Sequence, residues 1–286
     1  KLVLHHNGHF FWVFGVQVLR QHHTRVMRRE GNEKVMSARL SDAEFFYRTD
    51  LKTPLIDRVQ MLKKMTFQKN LGSLHDKAKR LEKICLQLTD NDTNAGRAGL
   101  LAKTDLLTDM VFEFTDLQGT MAYYYAQHNK ENSDVAQALK EQYLPRFSDD
   151  AIAKSTLGIV LSIADKTDNL VASFGINQIP TGNKDPFALR RAALGIIRTV
   201  IESKLDLNLK DLIEFSISTY NAIEFSNKNL VSDLLNFFHD RLRAWLKEQG
   251  FELDIIDSVL VLKPVNFYEA YQRIEAVKSF KNLPEA

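Results

Sequence analysis

Asp165 and Asp168 lie three residues apart inside the largely apolar segment 152–174, a spacing that puts both carboxylates on one helical face. Three other segments carry side chains able to ligate a metal: His75 with Asp76, then Asp105, then His128. Each falls on a separate predicted helix. A helical bundle can converge such groups on one divalent ion, and an ion held that way activates water for hydrolysis. A catalytic site needs several protein ligands and an open position. The competing reading is that these carboxylates are structural.

Other chemistry is thinner. The chain has no GxxxxGK[ST], no GxGxxG after a strand, no HExxH and no GxSxG. Cys85 is the one cysteine, so neither a disulfide nor a cysteine zinc site is available within the sequence, and a reducing cytoplasm is expected. Cys85 falls on a predicted buried face, which favours packing over nucleophilic chemistry. Five of the eight histidines precede residue 24, and the pairs His5-His6 and His22-His23 are read as incidental. Tyr123, Tyr124 and Tyr125 could stack on bases, but at helical spacing at least one ring must point inward.

The elements that position these groups are mainly helical. A β-hairpin is expected over residues 1–18, where two apolar runs flank Asn7-Gly8. The run at residues 10–16 is too short to span a bilayer and is not read as a leader. From Thr53 onward, apolar residues recur at helical period. Thr53 is expected to cap and Pro54 to start one helix, with the next carrying Leu74, Ala78, Leu81, Cys85 and Leu88. Residues 89–96 read as a loop, residues 100–110 as a helix, and Ser133 as the cap of another. After Ile179, Pro180, Thr181 and Gly182, Asp185 is the expected N-cap with Pro186 at the first helical position. Four further helices follow. No internal repeat is seen.

The formal net charge over 286 residues is only +2, which says nothing about an anionic partner. Its distribution says more. Residues 52–83 hold nine basic residues against three acids, and residues 105–150 hold nine acids against three bases. This segregation suggests an oriented field, against the alternative of two ordinary solvated faces. Lys63, Lys64, Lys69, Lys77, Lys79 and Arg80 are the residues it offers to phosphates.

Two resemblances follow from these residues. The order of a His, an Asp about thirty residues on and a late Asp resembles the HD phosphohydrolase superfamily. There a His, a His-Asp pair and a distant Asp bind a divalent metal. Here Thr104 stands where the central pair has its His, and His75-Asp76 falls at the first-His position. No metal is expected, and His75, Asp105, His128 and Asp165 are read as remnants of such a site. The alternative function is a metal-dependent HD-type phosphohydrolase acting on nucleotides.

The second resemblance is broader. GNEKVMSARLSDAEFFYRTD (31–50), LGSLHDK (71–77), VFEFTDLQGTMAYYYAQH (111–128), QYLPRF (142–147), ADKTDNLVASFGINQIPTGNKDPFALRRAALG (164–195) and RLRAWL (241–246) together resemble the β subunit of bacterial α2β2 glycyl-tRNA synthetase. The likeness implies a helical chain that recognises tRNA(Gly) while the α subunit binds glycine, ATP and Mg and performs aminoacylation. No cofactor is implied for this segment, and no membrane. The implied division is the end of a preceding domain (1–50), an HD-like helical domain (51–182) and the beginning of a DALR-type helical anticodon-binding domain (183–286). Lys1 in place of Met fits a piece of a longer chain. Arg190 and Arg191 have two readings of equal standing: RNA contact, or ion pairs with Asp165 or Asp168 that lock the two halves together.

Overall fold

The computed structural model describes residues 2–4, 10–12, 26–68, 71–182, 184–220 and 223–281. Of the expected hairpin, strands β1 (Leu2–Leu4) and β2 (Phe10–Trp12) pair antiparallel, with Val3 opposite Phe11. The Asn7-Gly8 turn lies outside the described residues, as do His5-His6 and His22-His23. Everything else is mainly helical, with thirteen α-helices among the described residues.

Helix α1 (Val26–Asp50) buries Ala43 and Asp50 near its C-terminal end. Helix α2 (Leu55–Met61) follows Pro54, but Thr53 does not cap it. Its first amide, Leu55 N–H, donates instead to Asn129 Oδ1 at 2.8 Å, a partner 74 residues away. The chain then tightens into a 3-10 turn, Leu62–Lys64. Helix α3 (Leu74–Leu88) begins in a capping box: Asp76 N–H donates to Ser73 Oγ, and Ser73 N–H donates back to the Asp76 carboxylate.

Helix α4 (Thr93–Leu101) starts inside the stretch expected to be a loop, because Asp92 accepts from Asn94 N–H and caps it. It crosses α3 so closely that a Cβ on Gly99 would lie 2.7 Å from the Leu81 carbonyl. The helix expected over residues 100–110 is broken. A 3-10 turn, Thr104–Leu107, precedes the short α5 (Asp109–Glu113), whose first amides donate to Thr108 Oγ and to the Asp50 carboxylate. Helix α6 (Thr120–His128) follows Gly119, whose φ of +77° favours a residue without Cβ. Helix α7 (Ser133–Glu141) is capped by Asn132, one residue before the serine expected there.

Helix α8 (Thr156–Gly175) is the axis of the molecule. Ser155 caps it, and the Glu141 carboxylate accepts from Ser155 N–H and Lys154 N–H to hold its start. It is buried nearly all round: α3, α4 and α7 pack on it from one half, and α9 (Leu189–Glu202), α10 (Leu209–Ser218) and α11 (Leu230–Glu248) from the other. Leu161, Leu170, Val171 and Phe174 are fully covered, each contributing about 1.5–3 kcal/mol. Helix α9 begins later than Pro186 predicts. Its N-cap is Ala188, at a left-handed φ of +54°, and not Asp185, whose carboxylate accepts from Leu189 and Arg190 N–H from three residues further back. Helices α12 (Leu253–Leu260) and α13 (Phe267–Lys281) complete the chain, and one contiguous core runs from Ala43 to Ile274.

Candidate functional site

Asp165 and Asp168 do share a face of α8, and that face is in the interior. Lys77 Nζ, from α3, lies 2.9 Å from a carboxylate oxygen of each. Lys103 Nζ, just past α4, lies 3.0 Å from the other Asp165 oxygen. Arg80, one turn after Lys77, grips Asp168 with Nε at 2.6 Å and Nη2 at 3.1 Å. All five side chains are under 10% exposed.

Neutral groups fill the spare valences of Lys77, Lys103 and Asp168, whereas Asp165 Oδ1 lies in ion-pair range of Lys77 without a hydrogen bond. Lys77 Nζ also donates to Asn169 Oδ1, and Lys103 Nζ to Gln142 Oε1 and Tyr143 Oη. Tyr220 Oη donates to Asp168 Oδ1 at 2.9 Å from beyond α10, and the Arg80 guanidinium lies over the Tyr220 ring at 4.0 Å. Burial alone would raise both carboxyls. The Lys103 and Lys77 charges at Asp165, and the Lys77 and Arg80 charges at Asp168, outweigh it and hold both below the usual carboxylate range.

This arrangement leaves no place for a divalent ion beside Asp165, because two ammonium groups already occupy its oxygens. The other candidate ligands are elsewhere. Asp76 is committed to the α3 cap, and His75 is 3.7 Å from it. His128 is exposed at the end of α6. Asp105 is fully buried, accepting from Gly119 N–H at 2.6 Å, and burial pushes its carboxyl up to about 6. Among the described residues, no group of three or more His, Cys, Asp or Glu is placed to hold a metal. His75, Asp105, His128 and Asp165, read as remnants of a metal site, do not converge among the described residues, and the hydrolase alternative is not favoured.

The basic run divides. Lys63 and Lys64 are exposed on the 3-10 turn after α2, and among the described residues neither has an ion pair. Lys79 is exposed and pairs with Glu82 at 2.9 Å. Lys69 lies outside the described residues. Lys77 and Arg80 point inward, so they are not available to a phosphate: they are the counter-ions of α8. The reading of Arg190 and Arg191 as ion-pair partners of Asp165 or Asp168 is also corrected. Arg190 donates to Gly182 O at 2.7 Å and Arg191 to Arg146 O at 3.4 Å. The tie between the two halves runs instead through Arg80, Asp168 and Tyr220. Sequence reasoning missed Tyr220 and Lys103. Lys103, a lone cation in the apolar stretch LLAKTDLL, carried a signal; Tyr220 carried none. Of the three consecutive tyrosines, Tyr125 points inward and donates to Asp50. Cys85 is buried, and burial pushes its thiol up.

The family model described as glycyl-tRNA synthetase beta subunit matches residues 9–261. The chain belongs to the glycyl-tRNA synthetase beta subunit family. It is 49% identical over 260 residues to the glycine–tRNA ligase beta subunit of Colwellia psychrerythraea, and 46% identical over 261 residues to that of Haemophilus influenzae strain PittGG. Each comparison covers 90% of this chain and 38% of the relative, so the chain spans about two-fifths of the length of the curated relatives it matches.

In this beta-subunit segment, removing one partner of a buried pair exposes the rest to an uncompensated charge. Lys77→Met is expected to lower unfolding stability by about 3–5 kcal/mol, read from urea denaturation; unchanged stability would contradict a central role for Lys77. The pH dependence has two signs. Asp165 and Asp168 titrate below their unfolded values, so their contribution is present above about pH 4 and is lost on acidification. Asp105 does the reverse: the folded chain keeps a proton that the unfolded chain releases between about pH 4 and about 6. The stability of the parent relative to Asp105→Asn is therefore expected to fall by about 2–3 kcal/mol between pH 4 and pH 7. A pH-independent difference would refute that assignment.

Proposed function

We propose that the chain is the tRNA-binding part of a glycine–tRNA ligase β subunit, supporting ATP-dependent attachment of glycine to tRNA(Gly) on a separate α subunit. The observation that carries this reading is the family match over residues 9–261. The interior cluster agrees with it: the carboxylates on α8 are committed to the protein's own cations and have no free role in bond-making.

In this reading, residues 51–182 form an HD-like helical domain and residues 183–286 begin a DALR-type anticodon-binding domain. Residues 1–50 end a preceding domain. Glycine, ATP and Mg belong to the α subunit. The cytoplasm is the expected compartment, and no described helix is long and apolar enough to cross a membrane.

The groups that hold RNA are cations on the surface. Lys63, Lys64 and Lys79 project from the α2–α3 corner, and Arg190 and Arg191 from the start of α9. On an A-form stem such contacts read shape and phosphates, since its deep major groove is closed to side chains. Each neutralised duplex phosphate contributes about −0.9 to the slope of log affinity against log salt. The double variant Lys63→Glu/Lys64→Glu is expected to weaken tRNA(Gly) binding about tenfold or more at low salt and to flatten that slope by about 1–2. Filter binding across a salt series checks this; an unchanged slope would remove the α2–α3 corner from the interface.

A further inference from the structure

Arg191 separates two hollows on the surface where the loop after α7 meets α9 and α11. The first has a volume of about 300 Å³ and is lined by Phe147, Arg190, Arg241, Trp245 and Glu248 among others. The second, of about 420 Å³, is lined by Asp116, Arg146, Lys166 and Phe187 among others. Arg191 lines both.

Three observations define what these hollows fit. The first is charge: four arginines, Arg146, Arg190, Arg191 and Arg241, line the hollows with two carboxylates, Asp116 and Glu248, while the Lys166 ammonium is buried and committed to Leu144 O and Ser162 Oγ. Among the described residues none of the four arginines is in an ion pair. Arg190 and Arg191 are held only through backbone carbonyls, and Arg241 Nε has no hydrogen-bond partner. The second is the pair of aromatic rings left open to solvent, Phe147 at 56% and Phe187 at 45% exposed, one in each hollow. Exposed rings beside unpaired guanidiniums are the arrangement on which successive bases stack while the backbone is neutralised.

The third observation is rigidity. Arg198 of α9 donates to Ser148 O and Asp150 O, and Lys166 of α8 donates to Leu144 O at 2.8 Å. These bonds fix the loop that carries Arg146 and Phe147. The first amides of α9 already donate to the Asp185 carboxylate, so an anion here meets guanidiniums and not helix N–H groups.

We propose that the twin hollows astride Arg191 bind an unpaired stretch of RNA, with bases against Phe147 and Phe187 and phosphates on Arg146, Arg190 and Arg191. Each hollow has room for a unit of nucleotide size. A duplex keeps its bases stacked inside and presents only backbone, so it leaves both rings unused. This inference rests on the reading of the chain as a tRNA-binding segment, and it assigns unpaired nucleotides to a place distinct from the α2–α3 corner.

The test uses the chain as it stands, with a fluorescent mixed-sequence single-stranded RNA of about twelve nucleotides, the same sequence as a duplex, and tRNA(Gly). Fluorescence anisotropy is measured for the parent, Arg191→Ala, Phe147→Ala and Phe187→Ala, with unfolding midpoints taken in parallel. The single strand is expected to bind more tightly than the duplex. Each phenylalanine variant is expected to weaken it about fivefold or more, and Arg191→Ala to reduce its salt slope by about 0.7, all with unchanged midpoints. Binding of tRNA with single-strand affinity untouched by the three substitutions would overturn the site while leaving the tRNA reading intact. Equal affinity for the duplex, or equal displacement by polyglutamate, would also overturn it, marking an unselective surface for polyanions. Absence of binding to any of the RNAs would sink both readings.

Discussion

Two carboxylates on a helix buried nearly all round cannot be left alone. Moving an isolated charged carboxylate out of water is prohibitive, and even a paired one is tolerated only with good geometry and its remaining valences filled. Asp168 meets that condition through Lys77, Arg80 and Tyr220, and Asp165 is neutralised by Lys77 and Lys103, which Asn169, Gln142 and Tyr143 hold in place. This requirement fixes much else. It brings α3 against α8 with its cations inward, sets the position of the turn after α4, and reaches across to Tyr220 in the second half. Such a cluster is a weak source of net stability and a strong constraint on arrangement, because any other register leaves a charge without a partner.

The same constraint separates the interior from the surface. Lys77 and Arg80 belong by composition to the basic run of residues 52–83, yet they are spent inside. What remains outside is more sparse: Lys63, Lys64 and Lys79 at one corner, and the arginines around the start of α9 at another. These are the two surface patches on which the proposed RNA contacts draw.

Much of the helical architecture was legible from apolar period alone, since α2, α3, α8, α9 and α11 fall where Leu, Val, Ile and Phe recur, and α6 where Met121 and Tyr125 do. Boundaries were less so. Asp92 and Asn132 cap α4 and α7 where the polar composition suggested a loop or a neighbouring serine, and Asn129 serves α2 from far away in sequence. The inward turn of Lys77 and Arg80 was in fact present in the pattern. They lie on the stripe of Ala78, Leu81, Ile84 and Cys85, so periodicity argued for burial while the charge count argued for exposure. Tyr220 and the hollows beside Arg191 were not legible, because they arise from contacts 45 or more residues apart in the chain.

The central claim is that lysine and arginine, and not a metal ion, neutralise α8. The most direct measurement is the metal content of the chain after dialysis against a mixture of Mn, Zn, Ni and Fe salts, read together with its unfolding midpoint in the same solutions. An ion bound to the folded chain would raise that midpoint by mass action. The account predicts substoichiometric metal and an unmoved midpoint. One ion retained per chain with a raised midpoint, lost in Asp165→Ala, would contradict it.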